Sequence, residues 1–210
     1  MQGQYDKAFR AELRDLMRWR RDVRRFRPGA VEAAVLDRCL SAFLLAPSVG
    51  LSEPWRVILV ESAGARAAAL ANFEAANAEA LAGYTSDKAK LYAGLKLSGM
   101  REAPVHLAVF SDDGTAKGAG LGARSMPETR AYSVVGAITL FWLAARAEGL
   151  GIGWVSILDP VQLARDLDVP DSWRLIGYLC VGWPEAETKT PELERAGWEK
   201  RSPDVFVERR

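Results

Sequence analysis

The chain has 210 residues, of which 49% are hydrophobic and 26% are charged, a composition typical of a globular protein with a sizeable core. Its formal net charge is only +1, so no long-range field favours nucleic acid or an anionic membrane as a partner. The most hydrophobic run, residues 131–145, lies between two arginines and is shorter than the ~20 residues needed to cross a bilayer. We therefore predict a single domain over residues 1–210 that binds neither nucleic acid nor a membrane.

The predicted elements alternate between helices and strands. Apolar spacing predicts helices, in chain order, over residues 5–20, 31–45, 64–82, 86–101 and 129–148. Short apolar runs predict strands over residues 57–60, 104–110, 154–157 and 175–182. The loop at residues 112–127 contains four glycines, and we expect it to be mobile and to act as a lid.

The ends of the chain and its two cysteines suggest its assembly and location. Residues 184–210 are mostly polar but finish with Val205-Phe206-Val207, which predicts a C-terminal arm that packs on a partner subunit. Cys39 and Cys180 are far apart in sequence and are predicted to be buried free thiols in a reducing compartment. Residues 1–13 lack the continuous apolar core of a signal peptide. We therefore expect a cytoplasmic protein.

The sequence lacks the motifs of several common classes of enzyme and binding site. The single histidine, His106, lies in an alternating strand with no Cys or His pair nearby, so it is predicted to be a buried, hydrogen-bonded residue rather than a zinc ligand. No Gly-x-Ser-x-Gly motif of a serine hydrolase is present. Glycines 149, 151 and 153 follow a helix and precede a strand, the reverse of a dinucleotide-binding fingerprint. Glycines 118, 120 and 122 lack the Lys-Ser/Thr of a P-loop.

Six arginines and one acid are concentrated in residues 18–27. Arginine binds phosphate through paired, charge-assisted hydrogen bonds, so this arginine cluster predicts a local anion site. If the first helix extended through it, Arg20, Arg24 and Arg27 would share a face, although Pro28 disfavours a helical conformation at Arg27. Taken alone, the cluster also fits a solvated basic face or a nucleic-acid patch.

Two further segments accompany the arginines. Residues 46–55 combine two prolines, a glycine and a tryptophan, which predicts a fixed loop in which Ser48 offers a hydroxyl to a polar ligand. Residues 148–156 form a glycine-rich helix end that runs into a strand. An Arg-Arg-x-x-Arg motif followed by Ala-Pro-Ser, Pro-Trp and this glycine-rich stretch resembles the FMN-binding signature of the nitroreductase family.

The sequence resembles one branch of the nitroreductase family in particular. Asp22 stands where most nitroreductases carry serine or threonine, and Pro-Glu-Leu-x-x-x-Gly-Trp occupies residues 191–198. With the other motifs, these features are similar to the flavin-destroying (BluB-type) branch, the 5,6-dimethylbenzimidazole synthases, over about residues 12–201. That branch consumes reduced FMN and O2 and releases 5,6-dimethylbenzimidazole, the lower ligand of cobalamin, and erythrose 4-phosphate. Flavin is the substrate of this reaction.

The resemblance implies a set of flavin-binding residues. The arginines would hold the phosphate and the pyrimidine edge of the reduced flavin, Ser48 and the backbone near Gly153 would line the ring, and Arg201 would add a phosphate contact. The residues expected to bind flavin are Arg20, Arg21, Asp22, Val23, Arg24, Pro47, Ser48, Trp55, Gly153, Trp154, Ser156 and Arg201.

Asp22 and Ser156 are the predicted catalytic residues. Breaking the ribityl chain requires removal of a proton, and a carboxylate beside the flavin can act as the general base. Neighbouring arginines would favour its ionised form, whereas burial would oppose it. The alternative is that Asp22 only forms an ion pair with Arg18, Arg25 or another arginine. Ser156 would position oxygen or the flavin, unless it is an ordinary strand serine bonded to backbone.

The resemblance also implies the architecture and the partners. The expected fold is α+β, a mixed sheet sandwiched by helices, in an intertwined homodimer with flavin sites at the subunit interface and exchanged C-terminal arms. A separate flavin reductase would supply reduced FMN, so NAD(P)H would act only indirectly. Glu53, where other members carry Gln, and Arg25-Phe26 depart from the family pattern and would affect flavin affinity.

Two other functions stay open at this point. The chain could be an NAD(P)H-dependent nitroreductase or flavin reductase that recycles FMN as a cofactor, or a non-catalytic flavin-binding protein. Asp22 favours the flavin-consuming synthase over the first alternative, because a redox-only enzyme needs no base there. The ordered motifs favour either enzyme over a simple binding protein.

Overall fold

A four-stranded antiparallel sheet with strand order β1-β2-β4-β3 organises the chain. The computed structural model describes residues 3–210, and its strands are β1 (Trp55–Leu59), β2 (Val105–Asp112), β3 (Gly151–Val155) and β4 (Trp173–Gly182). The central strands β2 and β4 are largely buried because both of their faces are covered, which explains their nearly continuous apolar sequences. All four predicted strands are present.

The helices include all five that the apolar spacing predicts. They are α1 (Lys7–Trp19), α2 (Ala33–Leu40), α3 (Ala63–Ala82), α4 (Ser86–Gly94), α5 (Thr129–Ala147), α6 (Pro160–Asp166) and α7 (Glu192–Arg195). The second predicted helix changes to a 3₁₀ turn at residues 41–45, and α4 ends at Gly94 instead of residue 101, since glycine is a poor helix former. The short α6 was not predicted, although Asp159 caps its first turn.

Helices cover both faces of the sheet. On one face, α2 and α5 pack with Leu107 and Val109 of β2 around the first core. On the other face, α3 and α6 pack with Ala108 and Phe110 around the second core. The run at residues 131–145 is the buried middle of α5, as predicted. The predicted α+β fold, a sheet sandwiched by helices, is therefore confirmed.

The arginine cluster is extended instead of helical. Helix α1 ends at Trp19, and the chain then runs beside β3, where Asp22 and Ile152 form a parallel bridge. Further on, Phe26 and Pro184 form an antiparallel bridge. The possible extension of the first helix through the arginines is therefore wrong, because the backbone of this segment hydrogen-bonds to the sheet edge. This isolated bridge is parallel, whereas the four strands of the sheet pair antiparallel with one another.

The strand β3 begins three residues earlier than predicted. Gly151 and Gly153 lie inside it, whereas Gly149 lies in the turn after α5 with a φ of +87°. A Cβ on Gly151 would lie 2.7 Å from Cγ2 of Val23, closer than a side chain tolerates. The glycines are needed because the extended arginine segment packs directly against the strand.

The glycine-rich loop at residues 112–127 consists of turns that pack on the loop at residues 46–55. Gly118 has a φ of +81°, and a Cβ there would lie 2.5 Å from the carbonyl oxygen of Gly50, so only glycine allows this approach. Lys117 forms an ion pair with Glu53. The two loops are therefore in direct contact, and movement of residues 112–127 as a lid stays a prediction.

The described part of the chain, residues 3–210, has no helix that is long and apolar enough to span a membrane. Both cysteines are buried and free, as predicted. The side chains of Val205, Phe206 and Val207 are each more than 70% exposed, so nothing within the described chain covers the apolar end of the C-terminal arm.

His106 is buried and hydrogen-bonded, as predicted. Its Nδ1 lies 2.8 Å from the hydroxyl of Tyr178, and its Nε2 lies 3.1 Å from the carbonyl oxygen of Ala103. Burial, assisted by the charge of Arg66, lowers the pKa of His106 from 6.5 to about 4. The imidazole is therefore neutral in the folded protein at neutral pH.

We expect His106 to make stability fall in mild acid. Between pH 6.5 and about 4 the unfolded chain binds a proton that the folded chain does not, so the free energy of unfolding decreases as the pH is lowered through this window, by at most ~3 kcal/mol. Denaturant unfolding at several pH values would measure the slope. His106→Gln should have a shallower slope, and equal slopes in the two proteins would contradict the assignment.

Candidate active site

Asp22 lies where the chain leaving α1 meets the outer edge of β3. The N–H of Val23 donates to the carbonyl of Ile152 at 2.9 Å. One carboxylate oxygen of Asp22 accepts from the backbone N–H of Trp154 at 2.8 Å, and the other accepts from Nε of Arg24 at 2.7 Å. Both oxygens are therefore fixed in direction, while the side chain keeps 32% of its surface exposed.

Gly153 makes this arrangement possible. A Cβ on Gly153 would lie 2.2 Å from the carbonyl oxygen of Val23, a distance that no side chain can occupy. Any substitution would therefore push the arginine segment away from β3 and break the hydrogen bond between Asp22 and Trp154. Gly153 thus allows the close backbone approach of Val23, and lining of the flavin ring by its backbone stays a prediction.

The environment of Asp22 makes its carboxyl more basic than usual. Burial raises the pKa of Asp22, and the nearby carboxylate of Glu192 adds to this effect. The charge of Arg24 and the N–H of Trp154 act in the opposite direction, but burial has the larger effect. A carboxyl whose pKa is raised in this way is better suited to accept a proton near neutral pH.

The arginines beside Asp22 differ in their partners. Arg24 is bound on two sides, since its Nε donates to Asp22 and its NH1 donates to the carbonyl of Lys96 at 2.9 Å. Arg25 pairs with Glu192 at 2.5 Å. The positive charge by which Arg25 departs from the family pattern is therefore balanced by this carboxylate. The alternative that Asp22 pairs with an arginine is correct for Arg24, but this pair uses only one of the two carboxylate oxygens.

Arg20 and Arg21 have no acidic partner within residues 3–210. The guanidinium of Arg20 lies over the ring of Trp142, 4.8 Å from its centroid. Arg21 donates to the carbonyls of Lys189 at 2.8 Å and of Arg20 at 2.6 Å. Burial and the charges of Arg20 and Arg201 lower the pKa of Arg21, which indicates that each of these two cations lies close enough to repel Arg21.

Arg201 lies near Arg21 but is largely exposed and paired with an acid. Its Nε pairs with Glu194 at 2.7 Å, and its side chain is 56% exposed. Only the electrostatic effect on Arg21 connects it with the other two arginines. The structure therefore brings Arg201 toward the cluster, where Glu194 partly offsets its charge.

Trp154 and Ser156 continue the site along β3. The indole of Trp154 lies against the backbone of Gly177, where a Cβ would be 2.4 Å from Nε1, and its ring centroid is 6.3 Å from that of Trp142. Ser156 is exposed, one residue beyond the end of β3. Among the described residues its hydroxyl has no hydrogen-bond partner, so it is not the backbone-bonded strand serine of the alternative interpretation.

The loop at residues 46–55 is rigid but occupies a different place. The N–H of Val49 donates to the hydroxyl of Ser133 on α5, and the N–H of Glu53 donates to the hydroxyl of Ser48, both at 3.0 Å. The hydroxyl of Ser48 can still donate its own hydrogen to a ligand. Pro47 is exposed, and Trp55 begins β1, partly buried against the first core.

The predicted residues thus form two groups. The basic group comprises Arg20, Arg21, Asp22, Val23, Arg24, Gly153, Trp154, Ser156 and Arg201. The loop group comprises Pro47, Ser48 and Trp55. The basic group lies beside β3 and the loop group lies before and at the start of β1; these are opposite edge strands with two strands between them, which corresponds to ~14 Å across the sheet.

The length of α5 gives the same separation. Ser133, which supports the loop group, and Trp142, which contacts the basic group, are nine residues apart on this helix, or ~14 Å along its axis. One chain therefore does not bring the two groups into a single compact pocket.

Sequence reasoning missed four groups that hold the site together. The carbonyls of Lys96 and Lys189 accept from Arg24 and Arg21, Glu192 pairs with Arg25, and Trp142 underlies Arg20. Backbone carbonyls carry no sequence signal, and Trp142 lies within the apolar run that indicates only a buried helix. Glu192 does belong to the Pro-Glu-Leu motif that pointed to the synthase branch.

Comparison with known proteins shows the family to which the chain belongs. The model of the nitroreductase family matches residues 17–183. The 5,6-dimethylbenzimidazole synthase of Rhodospirillum rubrum is 50% identical over 205 residues, which are 98% of this chain and 97% of that protein. The enzyme of the same name from Rhodobacter capsulatus is 48% identical over 98% of this chain and 99% of its own length.

A solved structure supports the fold independently. The crystal structure of oxidized iodotyrosine deiodinase bound to FMN and 3-iodo-L-tyrosine covers 94% of this chain and 97% of its own, with a TM-score of 0.73 and 22% identity. At this identity the likeness supports the fold alone. Since the family model spans most of the chain and full-length relatives are about half identical to it, the chain belongs to the nitroreductase family, in the branch of the 5,6-dimethylbenzimidazole synthases.

Proposed function

We propose that this chain fragments reduced FMN in an O2-dependent reaction, giving 5,6-dimethylbenzimidazole and erythrose 4-phosphate. The observation that carries the proposal is the carboxylate of Asp22, fixed between the backbone of Trp154 and the side chain of Arg24 inside an arginine cluster. The names of the two relatives, which are about half identical to this chain, support the same activity.

The arginines fit the anionic parts of the substrate. Arg20 and Arg21 lie close together without a carboxylate partner among the described residues, so a bound phosphate would relieve their mutual repulsion. Arg24, held against Asp22, would face the pyrimidine edge of the reduced flavin, whose negative charge a guanidinium stabilises. Arg201 would join the phosphate contacts if it released Glu194.

Asp22 and Ser156 would have separate roles. Asp22 would accept a proton from the ribityl chain, because burial has raised its pKa toward the range of an effective general base. Ser156, whose hydroxyl is exposed and without a partner in residues 3–210, would position oxygen or the ring. The flavin supplies the redox chemistry when bound, and a separate flavin reductase would deliver it in the reduced form.

The separation of the two groups supports a homodimer. A second copy could place its own loop group, with Pro47, Ser48 and Trp55, beside the basic group of the first copy. Apolar side chains around the loop are available for such an interface, since they are more than half exposed in the single chain: Leu44, Leu45, Leu51, Leu121 and Tyr132. The open edge of β1 would accept the partner's Val205-Phe206-Val207.

One experiment distinguishes the proposed synthase from the alternative in which FMN is a recycled cofactor. Purified protein is mixed with anaerobically reduced FMN, air is admitted, and products are separated and identified. We expect 5,6-dimethylbenzimidazole, together with permanent loss of the visible flavin absorbance. Full recovery of that absorbance without product would mean that the flavin is only reoxidised, as in a flavin reductase or a simple carrier.

Asp22→Asn tests the proposed base directly. Asparagine keeps an oxygen that can accept from the N–H of Trp154 but cannot take up a proton, so FMN affinity should change little while product formation falls by ~10²–10⁴-fold. Asp87→Asn, at a fully exposed acid on α4, is the matched control and should be fully active. An Asp22→Asn protein that makes product at the normal rate would remove Asp22 from the mechanism.

The pH dependence of the reaction should report the same carboxyl. A general base works in its ionised form, so the rate should rise with pH through the pKa of Asp22. Because burial raises this pKa, the acid limb should lie at higher pH than the ordinary aspartate value of ~4. Single-turnover rates across the acid range would measure it. An acid limb at the ordinary value would contradict the proposed environment of Asp22.

Mixed dimers can test the shared site. Arg20→Ala disables the basic group and Ser48→Trp blocks the loop group, so each variant alone should be nearly inactive. If the groups come from different chains, a heterodimer regains one intact site, and an equal mixture should recover about a quarter of wild-type activity. If both groups serve the same chain, no site is intact and no activity returns. Subunit exchange is verified by differently tagged copies.

A further inference from the structure

Trp142 contacts the basic group although it lies outside every motif that indicated flavin binding. It is on α5, within the first core, and only 8% of its surface is exposed. One face of its ring lies under the guanidinium of Arg20 at 4.8 Å, and the ring also packs with Trp154 at 6.3 Å. Trp142 therefore links helix α5 to two members of the basic group, Arg20 and Trp154.

The side chain of Arg20 makes fewer polar contacts with the protein than those of Arg21 and Arg24. Arg21 and Arg24 each donate two hydrogen bonds to protein acceptors, whereas among residues 3–210 the side chain of Arg20 has neither a hydrogen bond nor an ion pair. The charge of Arg20 lies close enough to Arg21 to lower the pKa of Arg21. The face of Trp142 is therefore the contact that the structure shows holding the Arg20 guanidinium in place.

Contact with an aromatic face differs chemically from an ion pair. A carboxylate would occupy the N–H donors of Arg20 and cancel its charge. A cation–π contact stabilises the guanidinium through its flat face and leaves the N–H groups at the edge unused. The donors of Arg20 are therefore available for a planar or tetrahedral oxyanion.

We propose that Trp142 is a positioning residue that holds Arg20 ready for the phosphate of the flavin substrate. The inference rests on the proposed function, in which the basic group binds that phosphate. Trp142 itself does not touch the flavin phosphate; it fixes the direction from which Arg20 donates. Loss of the ring should therefore weaken recognition of the phosphate and leave recognition of the flavin ring unchanged.

Affinities for FMN and riboflavin separate these effects, because riboflavin has the same ring and ribityl chain but no phosphate. We expect Trp142→Leu to raise the Kd of FMN about 5- to 10-fold and to leave the Kd of riboflavin unchanged, as measured by flavin fluorescence. Trp142→Phe keeps an aromatic face and should stay close to wild type. Trp142→Met is the second variant if leucine prevents folding.

Trp173→Leu is the matched control. Trp173 is also partly buried and lies 5.9 Å from the guanidinium of Arg56, but it is at the start of β4, far along the sheet from the basic group. Its substitution removes a comparable ring and cation–π contact, so it should alter neither affinity. If Trp142→Leu weakened FMN and riboflavin equally, its role would be structural and the inference would be wrong.

Arg20→Ala distinguishes failure of the inference from failure of the proposed function. If Arg20→Ala leaves the ratio of the two affinities unchanged, the phosphate is not bound by Arg20 and that part of the proposed function fails. If Arg20→Ala lowers the preference for FMN but Trp142→Leu does not, only the inference fails. In the Arg20→Ala background, Trp142→Leu should cause no further loss of preference for FMN.

Discussion

The docking of residues 22 and 23 on the edge of β3 determines where the other groups of the basic site lie. The hydrogen bond from Val23 to Ile152 makes the segment extended, and side chains in an extended chain alternate from one side to the other. Asp22 and Arg24 therefore share a side, which allows the bond between them. A helix would have separated these two residues, because neighbours on a helix surface are three or four positions apart.

The charges of the segment are distributed unequally, and the proposed anion binding depends on this inequality. Arg24 and Arg25 are neutralised by Asp22 and Glu192, so they stabilise the fold as well as the site. Arg20 and Arg21 keep their charge because their contacts are an aromatic ring and backbone carbonyls. A count of arginines cannot reveal this difference, since it depends on which of them meets an acid in three dimensions.

The sequence predicted the layers of the fold well because apolar periodicity records burial directly. It placed the end of α1 to within one residue but left a helical extension through the arginines open, since arginine favours helices and only the distant edge of β3 offers Val23 its acceptor. The motifs predict that Asp22, Ser48 and Gly153 are members of one site. They could not predict that one chain holds Ser48 at the other end of α5, because a motif gives the order of residues and not the distance between them.

Helix α5 has a consequence for the assembly that goes beyond its place in the core. Its 19 residues form a rod of ~28 Å that supports the loop group near its start and the basic group near its end. In the proposed homodimer each α5 helix would support two active sites, one at each of its ends. The smallest complete catalyst would then be the pair of chains, and dilution that separates the subunits would abolish activity even while each chain remained folded.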